Sequence, residues 1–289
     1  MTTFYACPTK LIMKKILLAN LIADSKKKYK RFSLSNLFFQ IDIIFSDVIL
    51  GNSKAGFKAY NLVKNKKKSI IYNGVRLDRF LIQTDAEKLK NELGINTPYI
   101  IIMVASASKN KNYDLLLDVA KSIGKIRKDV CFLGVGDGAE KERLDNRVMT
   151  EGIKNIKLIG KRNDIESLID ISNMGLLFSY SEGISNSIIE YMGMGKPVIT
   201  TDIFGGSKEL IEDGFSGYIM ASDVEKITNK INKLLSDPLQ MEQLGIRGRN
   251  IIKKKFSIEK MGEEYKTLYY KYKCYKNNFK NRGKIVTEY

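Results

Sequence analysis

From Tyr99 onward the chain alternates short apolar runs with amphipathic stretches, and this alternation restricts its fold more than any other feature. The runs YIIIMV at 99–104 and VCFLGV at 130–135 have the length and composition of buried strands. Between them, residues 113–123 carry apolar side chains at helical spacing. A strand, a helix and a second strand in this order are typical of a parallel crossover unit. We therefore predict a doubly wound α/β domain in this part of the chain.

The same pattern continues to residue 220 and is weaker before Tyr99. Further strands are predicted at 156–160, 175–178, 197–201 and 218–220, with helices at 139–151 and 164–171. The earlier part predicts helices at 35–45 and 52–60 and strands at 47–50 and 69–75. That is too little for a second complete α/β domain, which usually needs over roughly 100 residues. The predicted division is a partial first lobe at 1–80, a complete α/β domain at 81–255 and a C-terminal helix with a basic tail at 256–289.

The positive charge of the chain is concentrated at its two ends. The formal net charge is +17, yet residues 81–252 hold 22 basic and 24 acidic side chains. Residues 1–80 hold 16 basic and 4 acidic side chains, and residues 253–289 hold 11 and 4. Basic ends suit an anionic membrane, a nucleic acid or a phosphorylated substrate. Solvated lysines without a partner are the alternative interpretation.

Several classes of site are excluded by composition. The chain has no histidine, so Ser-His-Asp and Cys-His catalysis are impossible and the usual His-rich metal sites are absent. Its three cysteines, Cys7, Cys131 and Cys274, are far apart and odd in number, which fits a reducing compartment better than a disulfide framework. The apolar run at 16–23 is much shorter than the roughly 20 residues of a membrane helix.

The segment EGISNSIIE at 182–190 carries the candidate chemistry. Ser185 is a predicted N-cap, which leaves the next three backbone amides without intrahelical acceptors and open to a phosphate. The segment follows a predicted strand, where an open α/β sheet forms its ligand crevice. Glu182 is expected in the loop before the helix and Glu190 on the helix, about 12 Å further along, which is roughly the span of a diphosphate with a sugar at one end and a ribose at the other. Carboxylates accept hydrogen bonds from sugar hydroxyls, but ordinary surface positions for both glutamates remain the alternative.

Several segments in a fixed order resemble a known family. Two segments precede EGISNSIIE: IYNGVRLDRF at 71–80 and the GDG loop at 136–138. Three segments follow it: GMGKPVITTD at 193–202, GGSKEL at 205–210 and FSIEK at 256–260. Together these segments are similar to GT-B glycosyltransferases of family 4, over roughly residues 36–272. Arg76 stands where many members have an Asp. GVGDG at 134–138 has the wrong spacing for a dinucleotide fingerprint, so an oxidoreductase is disfavoured.

The resemblance implies a fold and a reaction. The fold is an α/β protein of GT-B type, with one complete Rossmann-like donor domain on a parallel sheet and a partial N-terminal lobe. The reaction is retaining transfer of a sugar from a nucleotide-diphosphate-sugar, expected to be a UDP-sugar, without a metal or other cofactor. Glu182 and Lys111 take the catalytic positions. Ser106 replaces the family's phosphate-binding Arg, and Lys109 is a possible substitute. The donor-binding positions are Ser106, Lys109, Asn163, Ile165, Gly183, Ile184, Ser185, Asn186, Ser187 and Glu190.

The resemblance also implies partners. The acceptor is expected to be a glycan or a lipid-phosphate-linked sugar in surface polysaccharide synthesis. The basic ends predict peripheral attachment to the inner, cytoplasmic face of the plasma membrane, and no nucleic-acid partner is expected. The short first lobe allows a partner subunit that supplies the missing part. A non-catalytic nucleotide-sugar-binding protein is the alternative to an enzyme, favoured by Ser106 and the short lobe.

Overall fold

The computed structural model describes residues 10, 12, 16–21, 34–180, 182–201 and 206–282. It divides into two compact units, one formed by Met1–Gly74 with Phe256–Tyr289 and the other by Val75–Lys255. We call them unit 1 and unit 2. The C-terminal segment from Phe256 thus falls in the same unit as the N-terminal residues, and the segment 75–80 falls in unit 2.

Unit 2 is built on one parallel sheet. The described residues of the whole chain form strands β1 to β9, of which the last six belong to this sheet: β4 (Tyr99–Val104), β5 (Val130–Val135), β6 (Ile156–Leu158), β7 (Met174–Leu177), β8 (Val198–Thr201) and β9 (Tyr218–Met220). Their order across the sheet is β6-β5-β4-β7-β8-β9, and every neighbouring pair is parallel. This is the doubly wound order, which confirms the predicted architecture.

Unit 2 has eight helices among the described residues: one precedes β4, five connect consecutive strands and two follow β9. In chain order, with α1 and α2 in unit 1, they are α3 (Ala86–Glu92), α4 (Tyr113–Ile126), α5 (Lys141–Thr150), α6 (Ile165–Asp170), α7 (Asn186–Gly193), α8 (Ser207–Leu210), α9 (Val224–Leu235) and α10 (Pro238–Lys255). Short 3-10 turns occupy Leu77–Phe80 and Lys109–Lys111. The predicted helices at 113–123, 139–151 and 164–171 are confirmed with ends shifted by a few residues.

The core of unit 2 explains why the strand runs are so apolar. All six residues of β5 and all four of β7 are buried, as expected for strands covered by helices on both faces. The phenol of Tyr191 on α7 is fully buried and accepts a hydrogen bond from the amide of Val104 at 2.6 Å. A Cβ on Gly175 would lie 2.3 Å from the Tyr191 ring, so β7 needs a glycine there. This contact fixes α7 against the ends of β4 and β7.

Unit 1 contains a smaller parallel sheet. Its strands are β1 (Leu18–Leu21), β2 (Val48–Gly51) and β3 (Lys68–Ile70), in the order β1-β2-β3, with helices α1 (Leu34–Phe45), α2 (Lys54–Ala59) and α11 (Ile258–Arg282). Leu268 of α11 packs into a cluster with Val48, Leu50 and Ile71.

The predicted strand at 69–75 is wrong beyond its first residues. Pairing with β2 ends when the amide of Ile71 donates to the carbonyl oxygen of Gly51 at 3.0 Å. The chain then leaves the sheet, and the Gly74 amide approaches Met261 Sδ at 3.2 Å. Gly74 lies so close to α11 that a Cβ would be 2.6 Å from the Cα of Ile258. Contact with α11 therefore ends the strand, which no local pattern shows.

Some sequence expectations concern residues that the structure does not describe. Asp202 and Gly205 of the quoted motifs, most of residues 1–33 and the tail at 283–289 lie outside the described residues. Within the described part of the chain, no helix combines the length and the apolar composition that crossing a bilayer requires.

Candidate functional site

The centre of the unit 2 sheet is its topological switch point. β4 and β7 are neighbours there, although five elements separate them along the chain. In doubly wound sheets, connections leave such a pair in opposite directions and open a crevice beyond the carboxyl ends of the strands. The loop after β4 at 105–112 and the loop after β7 at 178–185 border this crevice.

The β4 loop presents Lys111. Asn112 ends the loop in a left-handed conformation with φ 47° and caps α4 by accepting from the Leu115 amide at 3.4 Å. Asn110 accepts a hydrogen bond from the amide of Tyr180 at 2.9 Å. Because this bond ties the β4 loop to the β7 loop, Lys111 is held close to the segment that contains Glu182.

The β5 loop packs against the β4 loop through two glycines. Gly136 has φ 143°, and a Cβ on it would lie 1.9 Å from the carbonyl oxygen of Ala105. Gly138 has φ 157°, and its Cβ would lie 2.4 Å from the carbonyl oxygen of Ala107. The GDG motif thus permits a close backbone approach that shapes one wall of the crevice.

The N-terminus of α7 faces the crevice. Ser185 is extended and buried directly before the helix, which confirms its predicted N-cap position, and its side chain makes no capping hydrogen bond. The neighbouring hydroxyl of Ser187 instead donates to the carbonyl oxygen of Val104 at 2.6 Å. Within the described residues, no acceptor binds the amides of Asn186, Ser187 or Ile188. These amides are therefore open to an anion.

A pocket of about 520 Å³ lies at this position, and we call it the switch-point pocket. Its lining residues are Val104, Ala105, Ser106, Lys111, Val135, Gly136, Asp137, Lys161, Arg162, Ile165, Glu182, Ile184, Ser185, Asn186 and Ser187. Its volume falls within the range of small-molecule sites.

Lys111 and Glu182 form an ion pair inside the pocket. The Lys111 ammonium contacts Glu182 Oε1, and the two side chains are 20% and 18% exposed. The Glu182 carbonyl oxygen also accepts from the Gly206 amide at 3.1 Å, which holds its loop in place. A cation, a carboxylate and free helix amides therefore share one small space, where an anionic ligand with hydroxyl groups finds a partner for each group.

Glu190 lies on the second turn of α7 and contacts an arginine from a distant segment. Arg79 Nη2 lies 3.3 Å from Glu190 Oε1, and Arg79 Nε donates to Glu166 Oε1 at 2.7 Å. Glu166 follows Ile165, which lines the pocket. Burial raises the pKa of the Glu190 carboxyl, Arg79 opposes that rise, and Glu166 adds to it. The Glu190 side chain is 15% exposed.

The structure brings together most of the predicted site residues. Those that line the switch-point pocket are Ser106, Lys111, Ile165, Glu182, Ile184, Ser185, Asn186 and Ser187. Those that do not line it are Lys109, Asn163, Gly183 and Glu190. Lys109 and Asn163 are exposed residues of loops that contribute other residues to the lining.

Sequence reasoning missed two cations. Lys161 lines the pocket and lies three residues after the end of β6. Its position directly after a predicted parallel strand could have identified it from the sequence. Arg79 lies in the quoted motif at 71–80, yet its contact with Glu190 spans 111 positions and has no local signal. Of the three loop cations Lys109, Lys111 and Lys161, only Lys111 has an ion-pair partner within the described part of the chain.

No group of three or more metal-binding side chains is found among the described residues. Fold and site together define an α/β protein in which a helix N-terminus with unpaired amides, among the described residues, faces the switch point of a doubly wound sheet. Comparison with family models gives a match to the glycosyl transferases group 1 over residues 85–251. The chain belongs to this family.

Relatives of known description support the same class. N-acetyl-alpha-D-glucosaminyl L-malate synthase of Bacillus anthracis is 31% identical over 245 residues, which cover 82% of this chain and 63% of that protein. The capsular polysaccharide biosynthesis glycosyltransferase CapM of Staphylococcus aureus is 27% identical over 217 residues, which cover 72% of this chain and 57% of CapM. This chain therefore spans less than two thirds of the length of either relative.

The fold has a close counterpart among solved structures. HepE of Anabaena, solved in complex with UDP, superimposes with a TM-score of 0.81 over 93% of this chain and 76% of HepE, at 20% identity. The predicted fold class is confirmed: an α/β protein of GT-B type, with a complete Rossmann-like domain and a smaller N-terminal lobe. Transferase membership is likewise confirmed by the family match.

Proposed function

We propose that this chain is a retaining glycosyltransferase that moves a sugar from a UDP-sugar to a glycan or lipid-linked acceptor in surface polysaccharide synthesis. The observation that carries the proposal is the shared position of Lys111, Glu182 and the free α7 amides in the switch-point pocket. Uridine as the base has one further support, because HepE is a structural neighbour that binds UDP. Assignment to family 4 and retention of configuration rest on the sequence resemblance.

In this proposal the diphosphate lies against the N-terminus of α7. As the bond between the sugar and the diphosphate breaks, negative charge grows on the leaving oxygen. The amides of Asn186 and Ser187 and the ammonium of Lys111 stabilise that charge without having to reorganise. Such a cluster of fixed donors does the work that a metal ion does in other transferases, so no metal or other cofactor is part of the proposal.

The two glutamates hold the ends of the donor. Glu182 accepts hydrogen bonds from sugar hydroxyls, with backbone help from Gly183 and Ile184, and Glu190 accepts from the ribose. In the structure each carboxylate is paired with a cation, Glu182 with Lys111 and Glu190 with Arg79. Donor binding therefore exchanges the Lys111–Glu182 contact for two new ones, phosphate on the lysine and hydroxyls on the glutamate.

The experiment is donor binding and turnover with the purified chain. Thermal shift with a panel of nucleoside diphosphates identifies the base, and release of UDP from UDP-sugars measures turnover. Lys111→Ala is expected to lower turnover by about a hundredfold, as loss of a single oxyanion donor does elsewhere. Lys253→Ala, an exposed lysine of α10, is the matched control. Equal turnover by the two variants contradicts the catalytic site, and NMR of the product's anomeric proton tests retention.

A non-catalytic nucleotide-sugar-binding protein is the second candidate. Ser106 favours it, because an exposed, uncharged hydroxyl lines the pocket where the resemblance expects an arginine. A binder gives a thermal shift with UDP and no UDP release from any UDP-sugar. Turnover above the background of Lys111→Ala excludes this candidate.

The acceptor side of the proposal rests on charge. The basic excess of residues 1–80 and 253–289 suits an anionic leaflet that carries a lipid-phosphate acceptor, at the cytoplasmic face of the plasma membrane. Flotation with phosphatidylglycerol vesicles is expected to show binding that fades as salt rises. Binding to neutral vesicles, or binding that salt does not weaken, contradicts this attachment. A partner subunit on the acceptor side is compatible with the proposal, and copurification tests it.

A further inference from the structure

Unit 2 has a second pocket at the opposite edge of its sheet. It has a volume of about 700 Å³ and lies where β5 and β6 begin, bordered by Val130 and Asn155. We call it the amino-edge pocket. The switch-point pocket lies beyond the carboxyl ends of the same strands, and the two pockets share no lining residue.

The amino-edge pocket is strongly cationic, although the middle of the chain is nearly neutral by count. Six basic residues line it: Lys121, Lys125, Arg127, Lys128, Lys154 and Lys157. Glu151 is its only acidic lining residue. Both carboxylate oxygens of Glu151 are already used, Oε2 by Lys121 at 2.9 Å and Oε1 by Arg147 at 2.6 Å.

Half of these cations are engaged by protein groups. Arg127 binds both carboxylate oxygens of Asp129, at 2.9 and 2.6 Å, and the Lys128 ammonium donates to the carbonyl oxygen of Gly124. Lys121 is held by Glu151. For Lys125, Lys154 and Lys157 no hydrogen bond or ion pair to any described residue is found.

Helix C-termini account for part of the charge only. The segments after α3, α4 and α5 all line the pocket, and each helix end carries roughly half a negative charge that attracts lysines. Lys128, bound to a carbonyl of α4, serves that purpose. The remaining cations exceed what three helix ends neutralise, and three ammonium groups stay without a partner at one concave surface.

We propose that the amino-edge pocket binds a low-molecular-mass anion with two or more phosphate charges, separate from the donor site. Unpaired ammonium groups around a concavity of this size favour a compact polyanion. The apolar floor formed by Ile95, Val130 and Ile153 suits the carbon skeleton of a phosphorylated sugar or polyol. A membrane is a poorer occupant because a bilayer surface does not enter a recess.

Titration calorimetry of the full chain with inorganic pyrophosphate tests the site. Lys125→Gln/Lys154→Gln removes two exposed, unpaired charges, and Lys226→Gln/Arg249→Gln makes the same charge change at exposed positions of α9 and α10. The first variant is expected to weaken pyrophosphate binding about tenfold or more, the second to leave it unchanged. Equal weakening by both variants contradicts the site, because it shows only unspecific attraction.

The substitution Lys111→Gln shows whether pyrophosphate binds in the switch-point pocket or in the amino-edge pocket. Pyrophosphate binding that survives this substitution supports the amino-edge pocket, and binding that it abolishes overturns the proposal. UDP binding is expected to be unchanged in Lys125→Gln/Lys154→Gln, because these lysines lie outside the switch-point pocket. If the parent protein fails to bind UDP but still binds pyrophosphate, the proposed function is refuted and the amino-edge site is not. Parallel titrations with a free sugar bisphosphate and with a phosphodiester-linked polyol oligomer show whether the phosphate groups of the ligand belong to a free phosphorylated sugar or to a phosphodiester-linked polyol. Flotation with phosphatidylglycerol vesicles that needs Lys125 and Lys154, without pyrophosphate binding, overturns the small-ligand assignment.

Discussion

Ser106 is the residue at which this chain departs most from the phosphate-binding pattern of its family resemblance. It is exposed, lines the switch-point pocket and lies near Ser108, with 3.4 Å between the two hydroxyl oxygens. An arginine there has room in an open pocket and offers a planar pair of donors to a diphosphate. We therefore expect Ser106→Arg to restore a charge that the site lacks.

Ser106→Arg is predicted to tighten UDP binding about tenfold, measured by titration calorimetry. Ser108→Arg adds the same charge two positions along the loop and lies outside the pocket lining, so it is the control. Similar gains in both variants mean that long-range attraction, and not a placed phosphate contact, is responsible. Weaker binding in Ser106→Arg contradicts the assignment of the pocket to a diphosphate.

Glu190 gives a prediction on stability and pH. Burial raises the pKa of its carboxyl in the folded protein above the unfolded value. The folded state therefore binds this proton more tightly, so the contribution to stability is present below the usual pKa of about 4.3 and is lost as pH rises through the folded pKa. Glutamine does not ionise, so Glu190→Gln removes this loss of stability at higher pH.

Relative to the parent protein, Glu190→Gln is expected to gain thermal stability as pH rises above about 4.3 while losing affinity for UDP. Thermal melts across this pH range measure the first effect, and calorimetry measures the second. Glu242→Gln, at an exposed position of α10, is expected to change neither. A stability difference that does not vary with pH contradicts a raised pKa for Glu190.

At the scale of elements, the strands and helices of unit 2 are largely predictable because their signal is local. Fully buried strands such as β5 and β7 need apolar residues on both faces, and such runs are visible in the sequence. The end of β3 and the contact of Arg79 with Glu190 depend on segments far away in the chain. The hydrogen bond from the Ser187 hydroxyl to the Val104 carbonyl oxygen likewise joins α7 to a strand far away in the chain. Each of these features depends on contacts between segments far apart in the chain, which a local stretch of sequence does not reveal.

The β4 and β5 loops are predicted to depend on Gly136. Its positive φ and the 1.9 Å approach of a Cβ to Ala105 O mean that Gly136→Ala strains both loops. We expect a loss of about 2–4 kcal/mol in the free energy of unfolding, with weaker UDP binding. Gly214→Ala is the control, since Gly214 has φ 74° with no heavy atom within 4 Å of its Cβ. It is expected to cost only about 1–2 kcal/mol, from backbone strain alone. Equal losses, measured by urea unfolding, contradict a packing role for Gly136.

At the scale of the whole molecule, charge is distributed in a way that a net count conceals. Residues 81–252 are nearly neutral in sum, yet the same unit carries a cationic pocket at the amino edge of its sheet and an ion-paired pocket at the carboxyl edge. Lysines on α4 and after α5 lie far apart in the sequence and meet only because parallel strands align the ends of successive helices. The sequence alone therefore pointed to the switch-point pocket and not to the amino-edge pocket.

Two sites at opposite edges of one sheet predict two separate footprints in hydrogen exchange of the full chain. UDP is expected to slow exchange at the amides of 105–112 and 186–188, because it binds the amides of α7 and tightens the β4 loop. Pyrophosphate, with UDP present, is expected to slow exchange at 121–128 and 151–157. At a hundredfold excess over Kd each ligand adds about 2.7 kcal/mol of stability, so slowing throughout unit 2 accompanies both footprints. The local excess above that common slowing is the measured quantity. Identical patterns for the two ligands contradict the existence of two sites, since they place both ligands in one pocket.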